Sequence, residues 1–194
     1  MFGGICGIDL DDDFAFELLR TEDIRETDDY PGIRVFLTAH YGPMAVPLSI
    51  DVTTGDAITP AAVEYEYPLA FDEGSIRIMA YPVETVLAEK LETVLSRGIA
   101  NTRPRDYYDI RMLWTVRRSM IELDTLAEAV RSTCEKRGSI RAFDNAHATM
   151  SSVKGDTTMA DRWKKFAASY KYAQHMSLEN GCDTVVEIVK CLNL

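Results

Sequence analysis

The sequence is poor in metal-binding patterns. Its four cysteines, Cys6, Cys134, Cys182 and Cys191, form no CxxC or CxxH spacing, which argues against a structural zinc clamp and a disulfide scaffold and fits a reducing cytoplasm. Histidine is equally scarce: His40, His147 and His175 are scattered, an arrangement unsuited to a transition-metal centre. No apolar run approaches the roughly 18 residues that span a bilayer, and Met1–Leu10 has no basic segment, so membrane and secretory readings fall away. Internal repeats and low-complexity tracts are also missing. Positive charge is in deficit, with 21 Lys and Arg against 31 Asp and Glu, a net charge of -10. Taken alone, that sum opposes a nucleic-acid partner.

What is present is a globular composition, 194 residues with 46% hydrophobic and 27% charged, enough for one domain or a small sheet domain with a helical appendage. The charge is unevenly spread. Residues 1–66 hold fourteen acidic and three basic side chains, whereas the remaining 128 hold seventeen and eighteen. Between Arg97 and Arg141 ten basic residues face six acidic ones, so a local arginine-rich surface is compatible with the acidic total.

The first third alternates with period two. Ile33, Val35, Leu37 and Ala39 share one side of a strand, Val46, Leu48, Ile50 and Val52 one side of the next, and Tyr41-Gly42-Pro43 lies between: a hairpin. Phe14–Leu19 and Ile76–Ala80 are further strand candidates, and Pro47 suits a strand start or a sheet edge. After Tyr81 the period becomes helical. Pro82 opens a helix and Gly98 closes it, with Val83, Val86, Leu87, Leu91, Val94 and Leu95 as its stripe. A second helix runs from Pro104 through Ile110, Leu113 and Trp114, and a third over Leu123–Arg137. The fourth covers Thr157–Tyr172, with Trp163, Phe166, Ala167 and Tyr170 inward, and a short last one covers Thr184–Leu192. Residues 138–156 read as a connecting loop.

Three charges break these patterns. On a helical wheel of 100° per residue Lys90 falls within about 60° of Val86 and Leu87, inside the apolar stripe, while Glu89 and Glu92 point away as surface charges. Such a lysine either snorkels to an edge or reaches a buried anion. Asp106 shares a face with Ile110 and Leu113, with Asp109 on its flank. With Pro104 as the first helical residue it is the third, and so also suits the unpaired N–H groups and dipole of a helix start. Two consecutive helices thus turn opposite charges toward one interior. Asp51 lies mid-strand, where Asp is disfavoured; it is either a solvated edge residue or a carboxylate placed for metal or general-base chemistry.

The segments around these charges, Ser49-Ile50-Asp51-Val52-Thr53-Thr54-Gly55-Asp56, Tyr81-Pro82-Val83-Glu84-Thr85-Val86-Leu87-Ala88-Glu89-Lys90-Leu91 and Asn101-Thr102-Arg103-Pro104-Arg105-Asp106-Tyr107-Tyr108-Asp109-Ile110, resemble the successive signatures of the AbiEii/AbiGii-type nucleotidyltransferase toxins. Tyr30–Val35, Thr133–Gly138 and Trp163–Phe166 are similar as well. The resemblance implies an α+β protein with part of a polymerase-β-like nucleotidyltransferase fold: a mixed sheet with helices in the β-rich residues 1–80 and a helical part over 81–194. It implies transfer of a nucleoside monophosphate from an NTP, with Mg²⁺, onto an acceptor such as the 3′ end of tRNA. It further implies a cytoplasmic toxin of a type IV toxin–antitoxin or phage-defence system, with an antitoxin protein as partner. Lys90 would hold NTP phosphates, with Arg105 and Asp109 beside the nucleotide and Asp106 orienting Lys90 or the nucleotide. Asp51 would complete the metal site or activate the attacking hydroxyl. Arg105 stands where the family has lysine, a cation of different geometry.

Such a site also needs a Gly-Gly or Gly-Ser turn at a helix start and, about ten residues on, an Asp-x-Asp strand for Mg²⁺. Upstream of Asp51 only Gly3-Gly4 with Asp9-Leu10-Asp11 imitates this, with four residues between the pairs, too few for the intervening helix. Asp9–Asp13 reads instead as an acidic turn, and it lacks the Gly and Glu of an EF-hand loop. The expectation is therefore a chain that begins after the catalytic metal motif, through loss of an N-terminal region or a start placed too late, and that is weak or inactive alone. An incomplete sheet would expose an edge and favour pairing with a second copy. The alternative is a degenerate, non-catalytic member that serves as a binding or regulatory module, with Arg97–Arg141 contacting RNA or a protein. A metal-dependent hydrolase built on the N-terminal acidic cluster is the third reading.

Overall fold

A computed structural model of the chain describes residues 2–9, 12–24, 32–70 and 73–193. Asp11 of the acidic cluster and the Tyr30-Pro31 segment lie outside the described residues. The chain forms two compact units, Met1–Asp56 and Ala57–Leu194.

The first unit holds a five-residue helix α1 (Phe2–Cys6) and three strands, β1 (Phe14–Ile24), β2 (Gly32–Tyr41) and β3 (Met44–Thr53), in antiparallel order β1-β2-β3. The hairpin expected from alternation is β2–β3. Gly42 takes φ 53°, the positive φ that a two-residue hairpin turn requires at its first central position. The register sets Ala39 opposite Val46, Leu37 opposite Leu48 and Val35 opposite Ile50, so the apolar halves of both alternations fall on one face. Phe16 and Leu18 of β1 pair with Ala39 and Leu37 and extend that face. The opposite face is polar: Arg34 faces Asp51, His40 lies 3.3 Å from Glu17, and Arg20 sits 3.8 Å over the Phe36 ring. Pro47 is on β3, an outer strand of this sheet, where its missing N–H is tolerated.

The second unit opens with a hairpin of β4 (Val63–Pro68) and β5 (Ser75–Ala80). Six α-helices follow: α2 (Val83–Arg97), α3 (Pro104–Val116), α4 (Leu123–Arg137), α5 (Ala146–Gly155), α6 (Thr157–Ser169) and α7 (Leu178–Leu192). The α+β class is borne out. Both sheets are antiparallel, where the resemblance implies one mixed sheet, because the short links between successive strands cannot make the long crossover of a parallel pair. The helix ends follow local chemistry. Pro104 occupies the first turn of α3, Gly138 closes α4 in the left-handed conformation at φ 63°, and Asp156 caps α6 by accepting the Met159 N–H at 2.8 Å. The core joins Leu87, Leu91 and Val94 of α2 to Ile110 and Trp114 of α3, Leu126 and Val130 of α4, Met150 and Val153 of α5, and Val185 and Ile188 of α7.

Four expectations need correction. Residues 138–156 are not a loop: they hold a 3₁₀ turn, Ile140–Ala142, and α5, whose Ala146, Met150 and Val153 are buried. Helix α7 begins at Leu178 rather than Thr184, because Ser177 and Asn180 form a reciprocal capping box ahead of it. Helix α6 stops at Ser169, and the extended backbone of Tyr170 leaves its ring 48% exposed rather than inward. Glu92 is not a surface charge: it is 5% exposed and takes a 2.7 Å bond from Arg137, because α4 packs along that flank of α2. Among the described residues no helix is long and apolar enough to cross a membrane.

Candidate functional site

Helices α2 and α3 bring the anomalous charges together. Lys90 Nζ lies 2.8 Å from Asp109 Oδ2 and 3.3 Å from Asp106 Oδ1. Arg105 adds a second cation, its Nε 3.6 Å from Asp109 Oδ2. Of the two readings of Lys90, reach to an anion is the one realised. Two cations and two carboxylates make a neutral cluster, and its members differ in access. Arg105 is largely exposed, the Lys90 side chain retains 23% accessibility, and Asp106 is buried. The other Asp106 oxygen, Oδ2, is buried and takes no hydrogen bond among the described residues. A buried acceptor without a donor is costly, so its retention beside an ammonium calls for a physical account.

The segment leading into α3 is built to hold this cluster. Asn101 is fully buried; its side-chain oxygen accepts the Arg103 N–H at 3.0 Å, and its carbonyl accepts Arg162 Nη1 at 2.9 Å. Arg162, from α6, also reaches the Ile99 carbonyl at 3.3 Å. The approach to Pro104 is thereby pinned from two sides, which sets the turn of α3 that carries Arg105 and Asp106. Tyr107 packs into the core, and burial is the main cause that pushes its phenol up from the ordinary value. From the other end of α2, the buried Glu84 accepts the backbone N–H of Glu122 at 3.0 Å, a carboxylate at the start of α4. Sequence reasoning missed Arg162, Asn101 and Glu84 as supports. Arg162 acts across about sixty residues of chain, beyond any periodic signal.

Asp51 belongs to the first unit, and Lys90, Arg105, Asp106 and Asp109 to the second. On β3 both Asp51 oxygens bind the Arg34 guanidinium, at 2.6 and 2.8 Å. This fork-to-fork pair raises the Arg34 pKa through its hydrogen bond and charge. A divalent ion needs several oxygen donors. Here the carboxylate is engaged by a cation, and among the described residues no three of His, Cys, Asp and Glu gather into a metal-binding group. The described donors do not fit a Mg²⁺ site.

Comparisons with curated proteins and with solved structures find no match. A family model does match, and over nearly the whole chain: the description "Nucleotidyl transferase AbiEii toxin, Type IV TA system" fits residues 1–187. That span takes in both strand alternations, the α2 lysine and the α3 carboxylates, and on that ground the chain belongs to the AbiEii nucleotidyl transferase toxin family of type IV toxin–antitoxin systems.

Proposed function

We propose that the Lys90–Asp106–Asp109 cluster is the phosphate-holding part of a nucleotidyltransferase site and that this chain, taken alone, binds NTP but transfers nucleotide weakly or not at all. The observation that carries the reading is the partly accessible Lys90 ammonium, held by two carboxylates from the next helix. Triphosphate oxygens offer it anionic acceptors, and Arg105, exposed on the same cluster, is the second cation within their reach. Asp106 and Asp109 keep the ammonium extended rather than folded back on its own helix. The unpaired Oδ2 of Asp106 is an acceptor suited to a hydroxyl donor, the group that a ribose carries. The acceptor in this reading is the 3′ end of tRNA, the compartment the cytoplasm, and the controlling partner an antitoxin protein. Asp51 is the weakest element: its pairing with Arg34 leaves it unsuited to metal, and no step is assigned to it.

Equilibrium dialysis with each NTP, alongside transfer of labelled nucleotide to tRNA in Mg²⁺, tests this. We expect Lys90→Ala to weaken NTP binding roughly tenfold or more, the worth of a charge-assisted hydrogen bond, with little or no transfer by the unaltered chain. Binding that survives Lys90→Ala would refute the phosphate role, and vigorous Mg²⁺-dependent transfer would refute the inactivity. That the donors among the described residues do not fit a Mg²⁺ site supports a second reading, a non-catalytic binding module, which predicts salt-sensitive tRNA binding without turnover.

A further inference from the structure

Beyond α6 lies an aromatic cluster that the nucleotide site does not use. Phe166 and Trp163 form its floor, both nearly buried, with ring centres 5.5 Å apart. On that floor stand Tyr108 from α3 and Tyr170 and Tyr172 from the turn after α6. The Tyr172 ring lies 4.9 Å from Tyr108 and 5.4 Å from Tyr170, and Tyr170 lies 5.2 Å from Phe166. Rings this close usually serve a core, yet Tyr170 and Tyr172 remain 48% and 47% exposed. Both touch neighbouring rings and still keep about half of their surface accessible.

The surrounding charge is equally particular. From Arg162 to Tyr172 the chain carries four cations and no carboxylate, although its net charge is -10. Arg162 is spent on backbone carbonyls. Lys164, Lys165 and Lys171 are exposed and form no ion pair among the described residues. Exposed tyrosines beside unpaired ammonium groups match one class of ligand, a polynucleotide strand with unpaired bases: the rings accept any base by stacking and the lysines follow the phosphates. A duplex hides its base faces, and an aliphatic protein partner would gain little from lysines.

We infer that Tyr170 and Tyr172, backed by the partly buried Tyr108 and flanked by Lys164, Lys165 and Lys171, form a stacking platform for a single-stranded polynucleotide. Tyr108 and Asp109 are consecutive on α3, so ring cluster and ion cluster leave one turn of one helix about 100° apart. The platform and the Lys90 cluster are thus carried by the same turn of α3. The strand's role as the nucleotide acceptor rests on the proposed function; the platform itself rests on the rings and charges.

The test is fluorescence anisotropy of the full chain with a labelled single-stranded oligoribonucleotide of about ten bases, its DNA counterpart and a matched duplex, with NTP binding measured in parallel. We expect the single strands to bind better than the duplex. Joint replacement Tyr170→Ala and Tyr172→Ala should weaken that binding about tenfold or more, whereas Tyr170→Phe with Tyr172→Phe keeps it, because stacking needs no hydroxyl. Replacing Lys164, Lys165 and Lys171 by Ala should flatten the salt dependence; this arm decides the matter if the alanine pair melts early. Binding of either sugar supports the platform, and the ratio of the two identifies the strand. No strand binding by the unaltered chain, equal binding of duplex, or indifference to both sets of replacements would overturn it. Loss of strand binding with NTP binding intact removes the platform alone. NTP binding indifferent to Lys90, with strand binding retained, removes the proposed function alone.

Discussion

Cys182 on α7 is fully buried, and burial pushes its thiol up to about 12. Cys134 is shifted upward for the same reason, while Cys191 is exposed. The sign of the pH effect follows. Above pH ~9 the unfolded chain releases the Cys182 proton and the folded chain keeps it, so the unfolded state binds fewer protons and stability falls as pH rises, by at most ~1.4 kcal/mol per unit for this thiol. Urea melts between neutral pH and pH ~10 check this, with Cys182→Ala expected to flatten the slope; an unchanged slope would remove the thiol as its source. At this scale the sequence was most readable where a charge contradicted its surroundings. Lys90 and Asp106 stood out because each sat among apolar residues, and the structure pairs them. Glu92 reads as a surface charge because one helical wheel cannot show a second helix packing on its flank, and the Arg34 partner of Asp51 becomes visible only once the strand register is known.

Helix α7 lies against α3, and Gly181 is the residue that lets it approach. A Cβ added there would stand 2.7 Å from Tyr107 Cβ and 3.1 Å from the Tyr107 carbonyl oxygen. Alanine is the better helix former by about 1 kcal/mol, but the overlap forces two packed helices apart, at about 1–3 kcal/mol. We expect Gly181→Ala to lower the thermal midpoint, as circular dichroism would show; a raised midpoint would mean that propensity wins. The same glycine explains why the start of α7 escaped the sequence: a poor helix former four residues in, with a cap completed by Asn180 instead of the more usual Glu or Gln, looks like loop. Helix α5 was hidden for a related reason, since its buried Ala146, Met150 and Val153 are spaced correctly but stand among small polar residues. The β2–β3 hairpin and helices α2 to α4 were readable because alternation or apolar stripe, glycine and proline all agreed.

At the scale of the molecule, the two units differ sharply in charge. Residues 1–56 hold twelve acidic and three basic side chains, a net of -9, while residues 57–194 hold nineteen and eighteen, a net of -1. The small unit carries a burden of self-repulsion; the large one is threaded by opposite-charge contacts such as Lys90 with Asp109 and Arg137 with Glu92. Dissolved salt is thus not one variable for this chain but two. Raising it from about 20 mM to about 0.5 M shortens the Debye length severalfold, which relieves the small unit and slightly loosens the large one. Calorimetry should show one thermal transition climbing with salt while the other holds or slips back. A lone transition indifferent to salt would contradict this. The consequence is practical as well as physical: a single melting temperature for this protein has meaning only when the ionic strength is stated, because the medium decides which unit yields first.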